Sequence, residues 1–305
     1  MLTLAFTSLF VGVTDISFFS LLNGINQDVF IISRIPRTIS IIIAGASLSI
    51  CGLIMQQLTQ NKFVSPTTAG TMDCVKLGIL FTMIFFGTAS FLNQVIISSI
   101  FAILGSFVFL QIIRKIRLKD IIFVPLIGLM FGGIINSITT FFAYQLNLIQ
   151  NVQIWLQGNF SNVMQGSYEL IYISLPLLVL AYIYANKITI AGMGEDIALN
   201  LGVSYRFILN LGLIIVAIIT SIIVLTVGIL PFLGLIIPNI ISIYKGDNIR
   251  KNIINIALLG AVFLLICDIF SRLVIYPFEI PIGLTVGVIG SFVFILLLLR
   301  KKEYA

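Results

Sequence analysis

Histidine is absent from this chain of 305 residues, and Asp, Glu, Lys and Arg together make up only 9% of it. Without histidine the commonest metal ligand and general base is missing, so HExxH-type metalloprotease chemistry is excluded. The three cysteines, Cys51, Cys74 and Cys267, lie in or beside apolar stretches with no CxxC spacing. They read as small buried hydrophobes, not as a disulfide framework or a metal site. No GxxxxGK[ST] loop occurs, so the chain has no visible means of binding ATP phosphates. No segment is long and polar enough to be a separate soluble domain. Soluble domains carry about 25% charged residues, and this chain falls far short of that.

What it has instead is long apolar runs, with a mean hydropathy of +1.18. In water these would be an intolerable surface; in lipid they are the exterior itself. The expected fold is an all-α, polytopic transmembrane helical bundle, one domain over 1–305. Runs of about 20 residues give room for roughly ten helices. Met1 to Val13 is short for a crossing, about 20 Å at 1.5 Å per residue. Either the first helix is short or the natural start lies upstream. Further spans are expected near 36–58, 74–92, 93–113, 121–146, 168–186, 207–227, 231–244, 252–272 and 281–299. The segment 228–244 contains Pro231 and Pro238 and is too short to cross unless broken or re-entrant.

The net charge of +6 could suggest nucleic acid, but basic residues also hold loops on the cytoplasmic side, and that reading excludes a nucleic-acid partner. Lys62, Arg114, Lys115, Arg117, Lys119, Lys187, Arg206, Lys245, Arg250, Lys251, Arg300, Lys301 and Lys302, 13 of the 17 basic residues, fall on one side of the expected spans. Both termini are then cytoplasmic. Arg34, Arg37 and Arg272 fall opposite. Lys76, three residues after Asp73, reads as a helix-end pair. An isolated outer arginine ordinarily snorkels to the headgroups. Arg34 and Arg37 flank Pro36 at an expected helix start, and Asp268 lies one turn before Arg272 and could orient it.

The run RIPRTISIIIAGASLSICGLIMQQLTQNKFVSPTTAG, Arg34 to Gly70, resembles the opening signature of the FecCD family, permeases of iron-siderophore and vitamin B12 ABC importers. WLQGNFSN (Trp155–Asn162), GEDIALNLGV (Gly194–Val203), GILPFLGLIIPN (Gly228–Asn239) and the stretch Asp268–Lys302 resemble later signatures of that family, in matching order. NKFVSPTTAGTMD and PFLGLIIPNIISIYKGDN look closest to its catecholate or petrobactin branch. Asn239 stands where relatives often carry histidine.

The resemblance implies an ATP-driven importer of ferric siderophore complexes in the bacterial cell membrane, not an enzyme, working by alternating access. It implies a cytoplasmic ABC ATPase dimer, a second permease subunit (a sister chain, or an identical one) and an extracytoplasmic substrate-binding lipoprotein. No cofactor is expected on this chain, since ATP is used by the partner, and no metal ligands are assigned. Arg34, Arg37 and Arg272 are then expected to dock acidic residues of the binding protein, and Glu substitutions at Arg34 and Arg37 to abolish import while the chain stays folded. Coupling to the ATPase is expected in the loop 187–206, through Gly194 and a helical face of Glu195, Ala198, Leu199 and Gly202, spaced i, i+3, i+4, i+7. Gly132, Asn136, Thr140, Gly283 and Gly287 are expected to line the pathway, helix packing being the competing reading of such small residues. An ion-coupled secondary transporter of a small organic solute is the alternative; it needs carboxylates near mid-membrane, where only Asp268 qualifies.

Overall fold

The computed structural model describes residues 1–12, 27–87, 90–115, 123–166, 168–246 and 248–301. Within the expected set, Val13, Arg117, Lys119 and Lys302 lie outside the described residues. No strand forms among the described residues, and the fold is all-α.

The first helix, α1, spans Leu2–Phe10. It is followed by α2, Gln27–Leu58, the longest apolar helix. Within α2 the five residues Phe30–Arg34 form a π-helical stretch before regular α-helix resumes at Ile35. Pro36 explains this: its ring excludes the carbonyl four residues earlier, and a widened turn accommodates it. The proline sits in the first turn of the regular helix, as expected, while the π-helical stretch and the turn before it carry the span back to Gln27, nine residues earlier than expected.

Next come α3 (Thr71–Phe86), α4 (Phe91–Lys115), α5 (Phe123–Gln145) and the short α6 (Ile149–Leu156). The expected span at 168–186 is broken: α7 (Glu169–Ile183) and α8 (Ala185–Ala191) meet at a 63° bend. A six-residue helix, α9 (Glu195–Asn200), precedes α10 (Tyr205–Thr226). The chain ends with α11 (Leu233–Lys245), α12 (Ile249–Leu273) and α13 (Ile282–Lys301). Six of these helices are long and apolar enough to cross a membrane, and the bent α7–α8 pair makes a seventh crossing by the same criterion.

The core is built on α2, which packs against α12, α10 and α11. Close approach to α11 depends on glycine: a Cβ on Gly52 would fall 1.7 Å from the carbonyl oxygen of Gly234. The segment before α11 is held as an irregular crossing. Gly228 takes φ +96°, and Phe232 φ +63°. The freed backbone groups are satisfied by the Trp155–Asn162 segment: Ile229 N–H donates to Leu156 O at 3.1 Å, and Asn159 N–H to Val227 O at 2.8 Å. Non-helical backbone is tolerated at membrane depth when it is buried in protein like this. At 13 residues, α11 is about 20 Å long, which matches the short, broken segment expected at 228–244.

Candidate functional site

Three groups of candidate residues occupy three levels of the molecule. Arg37 and Lys62 lie at opposite ends of α2's regular stretch, and the sites divide between those ends and the middle.

At the Arg37 end the three arginines expected to face a partner are brought together, but they are turned inward. Arg34 is 7% exposed, Arg37 8% and Arg272 2%. Arg37 donates through Nη2 to Asp268 Oδ1 at 2.8 Å and through Nη1 to Glu279 Oε2 at 2.7 Å. Arg272 Nη2 donates to the other oxygen of Asp268, and its Nη1 to the carbonyls of Ser8 and Val11 at 2.9 and 2.8 Å. Arg34 Nη1 also donates to Val11 O. Ser161 Oγ donates to Glu279 Oε2 at 2.7 Å. The cluster thus ties together α1, α2, α12, the 155–162 segment and the α12–α13 connection. Three guanidinium groups meet two carboxylates, a surplus of one positive charge.

Glu279 lies outside the spans and is half-buried. Burial pushes its carboxyl up, but the charge of Arg37 and the hydrogen bonds from Ser161 and Arg37 outweigh that and hold it below the usual glutamate range. The expectation that Arg37 can be reversed in charge without harm to the fold is corrected. A carboxylate there would face Asp268, which has no exposed surface. The i, i+4 pairing of Asp268 with Arg272 was readable in the sequence. Its pairing with Arg37, 231 positions away, was not.

At the Lys62 end, the segment from Gly192 sits against α2: a Cβ on Gly192 would meet Gln57 Oε1 at 2.3 Å. Lys62 Nζ donates to Ser242 Oγ on α11 at 2.9 Å, and Asn239 Nδ2 donates to Lys62 O at 2.8 Å. The loop expected at 187–206 is mostly helical, comprising the end of α8, a turn at Gly194 with φ +115°, and α9. The expected outward face is split. Ala198 is fully buried, because α9 packs on α8 and α10, and Gly202 lies beyond the helix with φ +71°. Glu195 and Leu199 do face outward, and the exposed apolar side chains are Met193, Ile197, Leu199 and Leu201. A cavity of 430 Å³, lined by Gln57, Asn61, Lys62, Met193 and Asn252 among others, separates this segment from the ends of α11 and α12.

The middle level concerns α5 and α13. In each, only 22% of the most apolar window is buried, against 83% in α2 and 78% in α10. α5 packs on α3, α4 and α6, and α13 on α11 and α12. Gly132 serves packing: its missing Cβ would stand 2.5 Å from Asp73 Oδ2. Gly283 does the same against Gly158, to whose carbonyl its N–H donates at 2.9 Å. Gly287 meets only Pro231 Cγ, at the ordinary distance of 3.7 Å. Thr140 is open, and Asn136 is half-buried. Asn136 Oδ1 accepts a hydrogen bond from Lys76 Nζ.

Lys76 and Asp73 do stand at the start of a helix, as their spacing suggests, with Lys76 buried and Asp73 half-buried. Helix α3 begins at Thr71, earlier than expected. The residues before it, including Val64, Ser65 and Ala69, are themselves buried. The spacing marks the end of the helix, and the structure places that end inside the protein.

The family model for the FecCD transport family matches residues 1–300. The petrobactin import system permease YclN of Bacillus subtilis is 55% identical over 307 residues, covering 100% of this chain and 97% of that protein. The ferric-anguibactin transport system permease FatD of Vibrio anguillarum is 42% identical, over 99% of this chain and 96% of the relative. A solved inward-facing structure of a metal-chelate type ABC transporter superposes with a TM-score of 0.82 over 98% of this chain and 96% of its own, at 22% identity. That last likeness bears on the fold alone. With a family model matched along nearly its whole length and relatives of this identity, the chain belongs to the FecCD transport family.

Proposed function

We propose that the chain is the membrane-spanning permease subunit of an ATP-driven importer that carries ferric siderophore complexes into the cytoplasm. The observation that supports this most is the full-length identity of 55% to a petrobactin import permease, joined to a polytopic fold that has no phosphate-binding loop of its own. ATP hydrolysis belongs on a separate subunit. Its docking surface is the exposed apolar group Met193, Ile197, Leu199 and Leu201 at the end bearing Lys62, which is the cytoplasmic end by the distribution of basic residues. A short helix with apolar side chains outward suits a groove on another protein. The cavity beside it leaves one flank unpacked, so the segment can move against α2.

The opposite end receives a substrate-loaded binding protein. The Arg34, Arg37 and Arg272 cluster contributes its surplus positive charge, which speeds and orients encounter with acidic residues. It also holds the 155–162 segment and the α12–α13 connection in place. The bare faces of α5 and α13 are where a second permease subunit pairs and a pathway opens between the two, with Asn136 and Thr140 toward it. The family match sets this reading above the ion-coupled alternative.

The test is uptake of radiolabelled ferric petrobactin by cells deprived of their own siderophore permeases. The chain, supplied with an ATPase, a second permease subunit and a receptor of such a system, should restore uptake. Vesicles in which an ion gradient alone drives uptake would reverse the assignment.

A further inference from the structure

An ionisable pair inside a membrane is costly, and it is retained where it does something. Lys76 is 9% exposed and Asp73 half-buried, both in the first turns of α3. Their depth follows from what they touch. Asn136, the acceptor for Lys76 Nζ, stands 13 residues after the start of α5 and nine before its end. That is about 20 Å from one end and about 14 Å from the other, near the middle of a hydrocarbon core. The site is built by small residues. Gly132 leaves the room that Asp73 occupies, and Gly70, with φ +74°, lies alongside. On the open side of the same helix, Gly133, Ser137 and Thr140 are exposed, and a Cβ on Gly133 would meet nothing within 4 Å. The amine thus waits one side chain behind one of the two barest helix faces among the described residues.

We propose that Lys76 is the charge that meets the cargo in mid-membrane, and that the cargo is an anionic ferric chelate. This rests on the importer reading above and narrows its substrate class. Iron(III) held by more than three negative oxygen donors is an anion, and its passage through a low-dielectric path needs a cation near the midpoint. A bare lysine would hold such an ion too well. Transport requires binding weak enough for release, and Asp73, three residues away, supplies the opposing charge that moderates the attraction. Asn136 parks the amine between passages. The flexible four-carbon stem of lysine lets it swing past Asn136 to the pathway and back.

The experiment uses the whole complex of two permeases, ATPase and receptor, reading ferric petrobactin uptake and receptor-stimulated ATP hydrolysis together. Lys76→Met should lower uptake by about tenfold or more while ATP hydrolysis persists, and Lys76→Arg should restore uptake to within about twofold. Asn136→Asp keeps the amine partnered and the helices joined but occupies the charge, and it should also depress uptake. The proposal is overturned if Lys76→Met or Asn136→Asp imports as the unaltered complex does. It is equally overturned if uptake and ATP hydrolysis fall together in all three variants, which is the pattern of a helix clamp. If the unaltered complex imports no ferric chelate, it is the importer reading itself that fails.

Discussion

Helices α2 and α5 cross the same layer, yet one is enclosed by its own chain and the other is almost bare. In α2, glycines 45 and 52 bring neighbouring backbones into contact, and most side chains of its regular stretch are buried. In α5, Leu129, Met130, Ile134 and Phe141 are each more than half exposed. Lipid tolerates such a face, so apolar composition does not by itself distinguish the two. The difference lies in the polar residues. Arg37, Asp268 and Arg272 on α2 and α12 are joined in mutual ion pairs, whereas Ser137 and Thr140 on α5 stand exposed. The first region is enclosed by its own chain and the second is open to lipid or a partner subunit.

Substituting a glycine in each region breaks or sustains that contrast most forcefully. Gly52→Val should abolish accumulation of folded protein, because two backbones would have to separate, while Gly133→Val, with open space around it, should leave thermal stability in detergent unchanged and instead reduce subunit pairing or uptake. Asp268→Ala comes next. It removes the buried carboxylate shared by two guanidinium groups, leaving Arg37 with Glu279 and Arg272 with the Ser8 and Val11 carbonyls, and should cost about 3 kcal/mol in unfolding measurements. Leu199→Glu acts on an exposed side chain, so stability should shift by no more than about 0.5 kcal/mol, yet co-purification of the ATPase should be lost.

Glu279→Gln is the mildest. Its partner Arg37 keeps Asp268, so the loss should be about 1 kcal/mol, the scale of a partly exposed ion pair. The carboxyl of Glu279 is held below its ordinary range, so its contribution is complete above that range and is lost as pH falls through the folded-state value. Wild type and Glu279→Gln should therefore differ in melting temperature at neutral pH and converge in acid.

Much of the frame was legible in the sequence. Long apolar runs located the spans, and Gly228, Pro231 and Pro238 marked the irregular crossing. Asp268 and Arg272 showed their pairing through i, i+4 spacing. What stayed hidden was everything fixed by distant contact. Nothing local to Arg37 announces Asp268 or Glu279, and nothing in Gly194–Val203 says which side of a six-residue helix meets α10. The spacing of Asp73 and Lys76 showed a helix end but not its depth. Only the burial of residues 64–70 shows that this helix starts inside the protein. Burial likewise reverses the ease with which Arg37 could be exchanged for Glu.

The most direct test of the account is transport by purified protein in liposomes. Alone, this chain should neither hydrolyse ATP nor accumulate ferric petrobactin. Joined by a second permease subunit, an ATPase and a receptor, it should accumulate the chelate only when ATP is supplied. Accumulation by the lone chain against a gradient would contradict the assignment of a gate driven by other subunits.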